Sequence, residues 1–515
     1  MKRREFFKSA TGKALAAACP LILPKYKDRS FKKPKNILFI MSDDHAAQAI
    51  GCYGSHLSQV VRTTNLDRIA AEGARLDNCF CTNSICAPSR ATILTGQYSH
   101  KNQVYTLRDR LDPSHPHIAK ILQSAGYQIA LIGKWHLKTE PSGFDYWNVL
   151  PGQGRYFNPI LKHHQKGEKV YSGYATDVIT DLSLEWLKRL DQNQPFLLMC
   201  HFKAPHDRWN HAERFADFYK EGDISEPPTL LDNYQHRFSR AGEVLNRLEL
   251  MVQDGYFPYI EHEKVEGLDR DMIRRTVYNA FIRQYLRCAQ AVDDNVGRLL
   301  DALDRLGLAE DTLVIYTSDQ GVFLGEHGYF DKRFMYEESL RMPFLVRCPG
   351  EIAPGTVVSG LIENIDFAPT MLEFAGHKVP EFMQGRSFRS LLRGKAGKNW
   401  KKTVYYRYWM HMAHFGIPAH YGIRTQRYKL IYYYGLSLGM SGTERIRSWV
   451  EGSPEIKPTD PEWELFDLKK DPYEMHNVYS DPNYSGVVLR MKLLLNEKKK
   501  EVKDTDEQFP EMLDR

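Results

Sequence analysis

The chain has 515 residues, 42% hydrophobic and 26% charged, which excludes an intrinsically disordered protein and allows more than one folded domain. Its formal charge is +6, but five cations and one carboxylate in the first 24 residues contribute +4, so the remainder carries only +2. Global charge therefore says little about the substrate. The sequence has no basic run interleaved with aromatic residues, so nothing in it predicts a nucleic-acid partner. Eight cysteines are too few for a disulfide scaffold of this length.

Residues 1–24, MKRREFFKSATGKALAAACPLILP, have the composition of an export signal. Paired Arg3 and Arg4 precede two phenylalanines, a lysine and a short stretch rich in alanine and leucine. This order resembles a bacterial twin-arginine signal, and the apolar stretch is too short for a permanent membrane anchor. A basic terminal tail is the alternative. We expect an exported, periplasmic protein that uses the export machinery and has no stable membrane span, with a surface-associated or secreted location left open.

From residue 35 onward, apolar runs alternate with helical segments. The runs KNILFIM, YQIALIG, PFLLMCHF and TLVIYTS predict buried strands. Helices are predicted from NLDRIAAEG, HIAKILQSAG and ATDVITDLSLEWLKRL, and from a long stretch over about residues 278–306. This alternation is typical of an α/β fold with a mostly parallel central sheet and helices on both faces.

Two regions depart from this alternation. Residues 207–275 carry few strand signals and many charged and aromatic residues, which indicates either an insertion near the mouth of a site or a plain surface excursion. After residue 397, aromatic hairpin-like segments such as TVYYRYW and HYGIRTQRYKLIYYY lead to a helical stretch at VVLRMKLLLNEKKK. We predict a catalytic domain over residues 35–396 and a smaller antiparallel C-terminal subdomain over residues 397–515.

Polar side chains follow the predicted strands at their carboxyl ends. They are Asp43, Asp44, Lys134, His136, His206, Asp319 and Gln320. Ligands bind at that edge of an open α/β sheet, so we expect these residues to meet in one site. The acidic and amide residues among them offer oxygen donors, which favour Ca²⁺ or Mg²⁺ over Zn²⁺.

The stretch CAPSRATILTG places Cys86 at the start of a predicted helix. Pro88 fits a first-turn position, and Arg90 lies about one helical turn after the cysteine, so its side chain can fold back towards residue 86. The free N–H groups of a helix start also suit an anion. Taken alone, Cys86 can be a small core residue, a thiolate nucleophile or the precursor of another group.

The motif C-x-P-S-R followed by Thr-Gly resembles that of the type I sulfatases, in the alkaline phosphatase superfamily. The resemblance extends over SDDH at 42, GKWHL at 133, KAPH at 203, SDQG at 318 and the lysine of GYFDKR at 328. It implies an alkaline phosphatase-like fold and oxidation of Cys86 to Cα-formylglycine by a separate maturation enzyme. In that family one hydroxyl of the hydrated aldehyde attacks sulfur, and the other loses a proton to release sulfate.

The resemblance also implies a metal site. Its ligands would be Asp43, Asp44, modified Cys86, Asp319 and Gln320, with Ca²⁺ as the expected ion and Mg²⁺ as the alternative. Gln320 stands where the family most often has asparagine, and its amide oxygen can still coordinate a cation.

Further residues take roles by the same resemblance. Lys134 and Lys332 would contact the sulfate oxygens. Arg90 would act beside the nucleophile, His136 would hydrogen-bond the diol, and His206 would be the general acid on the leaving group.

Two segments, EHGYFDKRFMYEESLRMPFLVRCPG and GFDYWNVLPGQGRYFNP, look most like bacterial sulfatases similar to N-acetylglucosamine-6-sulfatases. The resemblance predicts hydrolysis of the 6-O-sulfate of N-acetylglucosamine in host glycosaminoglycan or mucin. Candidate sugar contacts in the C-terminal subdomain are His411, His414, His420 and Arg424. Two other functions stay open: a phosphonate or phosphate monoester hydrolase with the same nucleophile, and a glycan-binding protein whose Cys86 is unmodified.

Overall fold

The first predicted strand, β1 (Asn36–Asp43), lies in the middle of a ten-stranded sheet, and every one of its residues is buried. An unbroken apolar run suits this position because both faces of a central strand are covered. The structure is a computed structural model that describes residues 36–220, 222, 224–252, 256–260, 264–395, 399–440, 456–513 and 515. The predicted export signal at residues 1–24 lies outside the described residues.

The remaining strands are mostly short. They are β2 (Ala74–Leu76), β3 (Cys79–Phe80), β4 (Gln128–Lys134), β5 (Tyr146–Leu150), β6 (Ile160–His163), β7 (Gly167–Val170), β8 (Phe196–Pro205), β9 (Thr312–Ser318), β10 (Phe323–Leu324), β11 (Phe330–Asp331), β12 (Phe344–Arg347), β13 (Thr356–Val358), β14 (Ile362–Glu363), β15 (Val404–Tyr408), β16 (His420–Arg424), β17 (Tyr428–Tyr433) and β18 (Glu462–Asp467).

The α-helices range from one turn to ten. They are α1 (Thr64–Glu72), α2 (Cys86–Thr95), α3 (Ser99–Asn102), α4 (Ile118–Ser124), α5 (Ala175–Leu187), α6 (Arg270–Arg305), α7 (Glu337–Leu340), α8 (Phe367–Phe374), α9 (Arg389–Leu392) and α10 (Ser485–Val502). Helix α6 begins earlier than the sequence pattern predicts because Asp269 caps it, accepting a hydrogen bond from the N–H of Met272 at 2.8 Å.

The large sheet has the strand order β13-β2-β12-β9-β1-β8-β4-β5-β6-β7. Its five central strands, β9, β1, β8, β4 and β5, run parallel, whereas β12 pairs antiparallel with β9 and β6 pairs antiparallel with β5. Helices α5 and α6 pack on β8, and α4 packs on β4 and contacts α2 and α8. The predicted α/β class and mostly parallel central sheet are confirmed.

A second sheet follows in the C-terminal part of the chain. Strands β15 to β18 form an antiparallel sheet in sequence order, and α10 packs against three of them. This confirms the smaller antiparallel element. Both sheets belong to one compact unit of the chain, and the domain boundary near residue 397 stays a prediction. Among the described residues, no helix has both the length and the apolar character needed to cross a bilayer.

Candidate active site

Three carboxylates meet at the carboxyl ends of two adjacent strands. Asp43 ends β1, Asp44 follows it, and Asp319 directly follows β9. These positions adjoin because β1 and β9 pair in parallel, with Ser42 opposite Ser318. One carboxylate oxygen from each aspartate lies within 4.8 Å of the others, and all three residues are buried. The three aspartates expected at this edge of the sheet therefore lie together.

The backbone at Asp44 is held in an uncommon conformation. Its φ is +63°, in the left-handed region that a non-glycine residue enters only at a cost. The hydroxyl of Tyr285, on α6, donates to the Asp44 carbonyl at 2.6 Å and accepts from the N–H of Ala46 at 2.8 Å. Both bonds fix the turn that aims the Asp44 carboxylate into the cluster. No feature of the sequence linked Tyr285 to this turn.

Two buried oxygen atoms beside these carboxylates lack hydrogen-bond donors among the described residues. They are Oδ1 of Asp43 and Oε1 of Gln320, whose amide nitrogen donates to Asp44. Unsatisfied buried acceptors are costly, and a hard cation satisfies them. Burial and the Asp43 carboxylate raise the pKa of Asp319, although Arg90 opposes this rise. The donor set, made only of oxygens, fits a divalent metal ion.

Arg90 and Lys134 bind the same cluster from one side. The Arg90 Nε donates to Asp319 Oδ2 at 3.0 Å, and its Nη1 donates to the Lys134 carbonyl at 2.8 Å. The Lys134 Nζ donates to Asp43 and to the side-chain carbonyl of Gln153. Arg90 thus reaches the site from α2, as its spacing from Cys86 predicted.

Lys332 binds a different carboxylate of the cluster, that of Asp44. Its Nζ donates to Asp44 Oδ2 at 2.6 Å. Burial lowers the pKa of Lys332, but the charge of Asp44 outweighs this effect, so the pKa lies well above its ordinary value. The side chain stays cationic and lines the cavity that contains residue 86.

Cys86 is the first residue of α2 and is only 1% exposed. Its Sγ, a carboxylate oxygen of Asp43 and a ring nitrogen of His206 lie within 4.8 Å of one another. It lines a cavity of about 430 Å³. The N-terminus of a helix points N–H groups towards this space and favours an anion there. The cysteine therefore lies beside the Asp43 carboxylate and His206, at a helix N-terminus whose N–H groups suit an anion.

His206 is fixed between two acidic residues. Its Nδ1 donates to the side chain of Asp207 and lies 3.0 Å from that residue's carbonyl oxygen, while its Nε2 lies 3.7 Å from Asp44 Oδ2. Burial lowers the pKa of His206, but the charges of Asp207, Asp43 and Asp44 raise it to about 10. Asp207 in turn accepts a hydrogen bond from the Tyr256 hydroxyl at 2.9 Å. The raised pKa favours a protonated imidazole, and Asp207 orients its ring through Nδ1.

His136 does not line the cavity that contains Cys86. It has a φ of +60°, and it borders a separate cavity of about 290 Å³ beside Trp135. Burial, followed by the charge of Lys134, lowers the pKa of His136 well below its ordinary value. Its Nδ1 has no hydrogen-bond partner among the described residues. Its predicted bond to modified Cys86 stays a prediction.

Other side chains line the Cys86 cavity without having been singled out from the sequence. They are Gln153, Arg155, Tyr156, Lys203, Asp207, Arg208, Asn210, Tyr256, Asp331, Arg333 and Phe415. Several come from residues 207–275, so that segment contributes to the site. Lys203 and Arg333 stood inside recognised motifs, whereas Tyr256 carried no sequence signal.

Of the four candidate sugar ligands, His414 lines the cavity. The other three have different partners. His411 Nε2 lies 2.9 Å from a backbone carbonyl, and the buried His420 has its Nδ1 2.8 Å from another. Arg424 donates to Glu337 at 3.0 Å, and its guanidinium packs over a phenylalanine ring. We leave these three out of the proposed sugar site because their polar groups are engaged elsewhere.

Comparison with protein families matches two parts of the chain. Residues 35–377 match the model described as Sulfatase, and residues 325–438 and 457–501 match the model described as N-sulphoglucosamine sulphohydrolase, C-terminal. The chain belongs to the sulfatase family and is by class a sulfuric ester hydrolase. The family resemblance and the enzyme class predicted from the motifs are confirmed.

The chain is also similar to three individual proteins of known name. The chain is 40% identical to the N-acetylglucosamine-6-O-sulfatase of Bacteroides thetaiotaomicron, with 92% of this chain and 88% of that protein covered. The solved structure of BT4656 in complex with its substrate D-glucosamine-2-N,6-O-disulfate superposes with a TM-score of 0.83 at 38% identity, covering 92% and 99% of the two chains. The phosphonate monoester hydrolase of Agrobacterium radiobacter shares the fold, with a TM-score of 0.68, 21% identity and coverage of 91% and 96%.

Proposed function

We propose that the chain hydrolyses the 6-O-sulfate of N-acetylglucosamine or N-sulfated glucosamine units in glycosaminoglycan or mucin. The observation that carries the proposal is the cavity lined by Cys86 and His206, together with the Asp43 carboxylate, which lies within 4.8 Å of the Cys86 Sγ and of a His206 ring nitrogen. The substrates named for the two similar sulfatases support the choice of sugar. The cavity of about 430 Å³ lies within the range that small ligands occupy.

We infer that Cys86 is oxidised to formylglycine by a maturation enzyme. The hydrated aldehyde would supply a hydroxyl nucleophile and a second hydroxyl for release of sulfate. Its position at the start of α2 supports this inference, because the helix N–H groups and Arg90 favour negative charge at residue 86.

We assign the metal site to Asp43, Asp44, Asp319 and Gln320, together with modified Cys86. The oxygen donors favour Ca²⁺, with Mg²⁺ as the alternative. When bound, the ion would supply positive charge beside the sulfate group.

Two lysines and a histidine act on the substrate in this proposal. Lys134 and Lys332, held by Asp43 and Asp44, direct ammonium protons at the sulfate oxygens. His206 keeps a proton at Nε2 for the departing sugar alkoxide, and Asp207 fixes the ring through Nδ1. His414 and Arg333 line the same cavity and are placed to contact the sugar.

The proposed periplasmic location rests on the sequence and not on the fold. The predicted twin-arginine signal supports export to the periplasm. A polymeric sulfated substrate outside the cytoplasm agrees with that location.

The test measures sulfate released from 6-O-sulfated N-acetylglucosamine and phosphate released from the matched 6-phosphate, with Cys86→Ala as control. We expect sulfate release that Cys86→Ala abolishes. A large preference for the phosphate ester would establish the phosphohydrolase instead. Saccharide binding by an inactive chain, with a peptide mass showing an unmodified Cys86 in natural material, would establish a glycan-binding protein.

A further inference from the structure

A second, larger cleft lies away from the catalytic cavity and shares no lining residue with it. Its volume is about 750 Å³, and it lies between α3, residues 381–386, residues 399–403 and the C-terminal end of α10. The two cavities meet opposite ends of helix α2. Cys86 begins that helix, and Gln97 and Tyr98, which line the cleft, follow its end. Ten helical residues span about 15 Å, so one monosaccharide cannot occupy both places.

Four exposed cations surround this cleft, namely Lys101, Arg386, Lys402 and Lys503. None of them forms an ion pair within the described part of the chain. The acidic residues of the lining are Glu381 and Glu501, and Glu501 is already paired with Lys498 at 2.9 Å. The cleft therefore carries an excess of free positive charge, although the whole chain is close to neutral beyond its first 24 residues.

The floor of the cleft is fixed by hydrogen bonds between distant segments. Gln384 donates to the Val502 carbonyl at 2.9 Å and accepts from the N–H of Tyr98 at 3.1 Å. The half-buried indole of Trp400 is held by its Nε1, which donates to a backbone carbonyl at 2.8 Å. A surface that is ordered before binding loses less entropy when a ligand binds.

We propose that this cleft is an accessory site that binds a sulfated stretch of the polymeric glycan while another sugar occupies the catalytic cavity. The inference rests on the proposed function, because the substrate itself supplies the polyanion. Free ammonium and guanidinium groups match sulfate and carboxylate groups along such a chain, and Trp400 offers an indole ring beside them. Ligand retention by this site would lower the KM for polymers without altering catalysis on monosaccharides.

The experiment compares two quadruple variants of the full chain. The cleft variant carries Lys101→Glu, Arg386→Glu, Lys402→Glu and Lys503→Glu. The matched control carries the same change at the exposed Lys166, Lys188, Lys378 and Lys469. Binding of heparin, of an unsulfated glycosaminoglycan and of duplex DNA is measured at two salt concentrations, together with kcat/KM on the monosaccharide sulfate.

We expect the cleft variant to bind heparin at least about tenfold more weakly, with a loss that shrinks at high salt, and the control to change about threefold or less. Monosaccharide turnover should be unchanged in both. Equal losses in the two variants, or equal affinity for DNA and heparin in the wild type, would overturn the accessory site. If cleft-dependent heparin binding holds but no 6-sulfate is released, the proposed reaction fails and the binding site stands.

Discussion

Two of the regions that contain buried charges arrange them differently. At the ends of β1 and β9, three carboxylates crowd together, and burial with Asp43 raises the pKa of Asp319. Beside the C-terminal sheet, Arg424 donates to both oxygens of Glu337, at 3.0 and 3.2 Å. There burial raises the pKa of Glu337, but Arg424 and Lys429 outweigh it and hold the pKa well below its ordinary value.

The buried charged side chains of the two regions have different roles. Opposite charges join α7 to the second sheet, where Arg424 and Lys429 both pair with Glu337. Like charges with unsatisfied oxygens are costly for the fold alone and are stabilised by a bound cation. Substitutions in the first region should mainly reduce activity, and substitutions in the second should mainly reduce stability.

The largest effect is expected at Asp319. Asp319→Asn removes one charge from the carboxylate cluster and should lower kcat/KM for sulfate release by about 10³-fold, because charge stabilisation at the reacting group is lost. The unfolding free energy without metal should change by at most about 1 kcal/mol, since like-charge repulsion also falls. Kinetics and denaturant titration in a chelator measure both. A large loss of stability at full activity would contradict the assignment.

In the paired region, Glu337→Gln should lower the unfolding free energy by about 3–5 kcal/mol, because Arg424 and Lys429 would lose a buried counter-charge. Activity per folded molecule should stay within about twofold of the wild type. Glu140→Gln is the matched control: it breaks an exposed ion pair with Lys162 and should cost less than about 1 kcal/mol. Similar losses from both changes would show that the buried pair has no special weight.

A pH effect is expected from His420 in the second sheet. Burial lowers the pKa of His420 to about 4, although a backbone carbonyl opposes this. The folded state therefore loses stability as pH falls below about 6.5, where the unfolded chain binds a proton first. Between pH 7 and pH 5 the contribution of His420 to this loss is about 2 kcal/mol, and His420→Phe should remove that contribution. Denaturant titrations at both values measure this, and an unchanged pH dependence in the variant would refute it.

The smallest effect is expected at Tyr285. Tyr285→Phe removes two hydrogen bonds that hold the turn at Asp44 and should weaken Ca²⁺ binding by about fivefold. Tyr278→Phe, on the same helix, removes a bond to Ser225 instead and serves as control. Calorimetric titration of Ca²⁺ distinguishes a positioning role from a general loss of stability. Equal Ca²⁺ affinity in the two variants would exclude that role.

Local sequence signals predicted the residues of the site that lie at the carboxyl ends of parallel strands. Each apolar run ends at the same edge of the predicted sheet, so the sequence alone placed Asp43 and Asp319 close together. Arg90 was predictable from helical spacing. Tyr285 and Tyr256 were not, because a tyrosine in a helix or loop carries no local signal that identifies the distant group its hydroxyl contacts. The sequence did not distinguish His414, which lines the cavity, from His411, His420 and Arg424, which have other partners, because a polar aromatic-rich sequence does not reveal whether its side chains face a cavity or the core.

The basic cleft illustrates the same limit for charge. Its four free cations come from four separate segments of the sequence. Only folding gathers them, so composition and charge patterning gave no sign of a polyanion surface.

Every residue of α2 is buried, and Cys86 is almost inaccessible in the folded chain. The proposed maturation enzyme would therefore have to act before the chain folds, which fixes the order of events in biogenesis. For cargo that leaves the cytoplasm already folded, as the predicted signal implies, both events precede translocation. Folded chains that had not been oxidised would remain inactive, and a maturation enzyme supplied afterwards would not activate them.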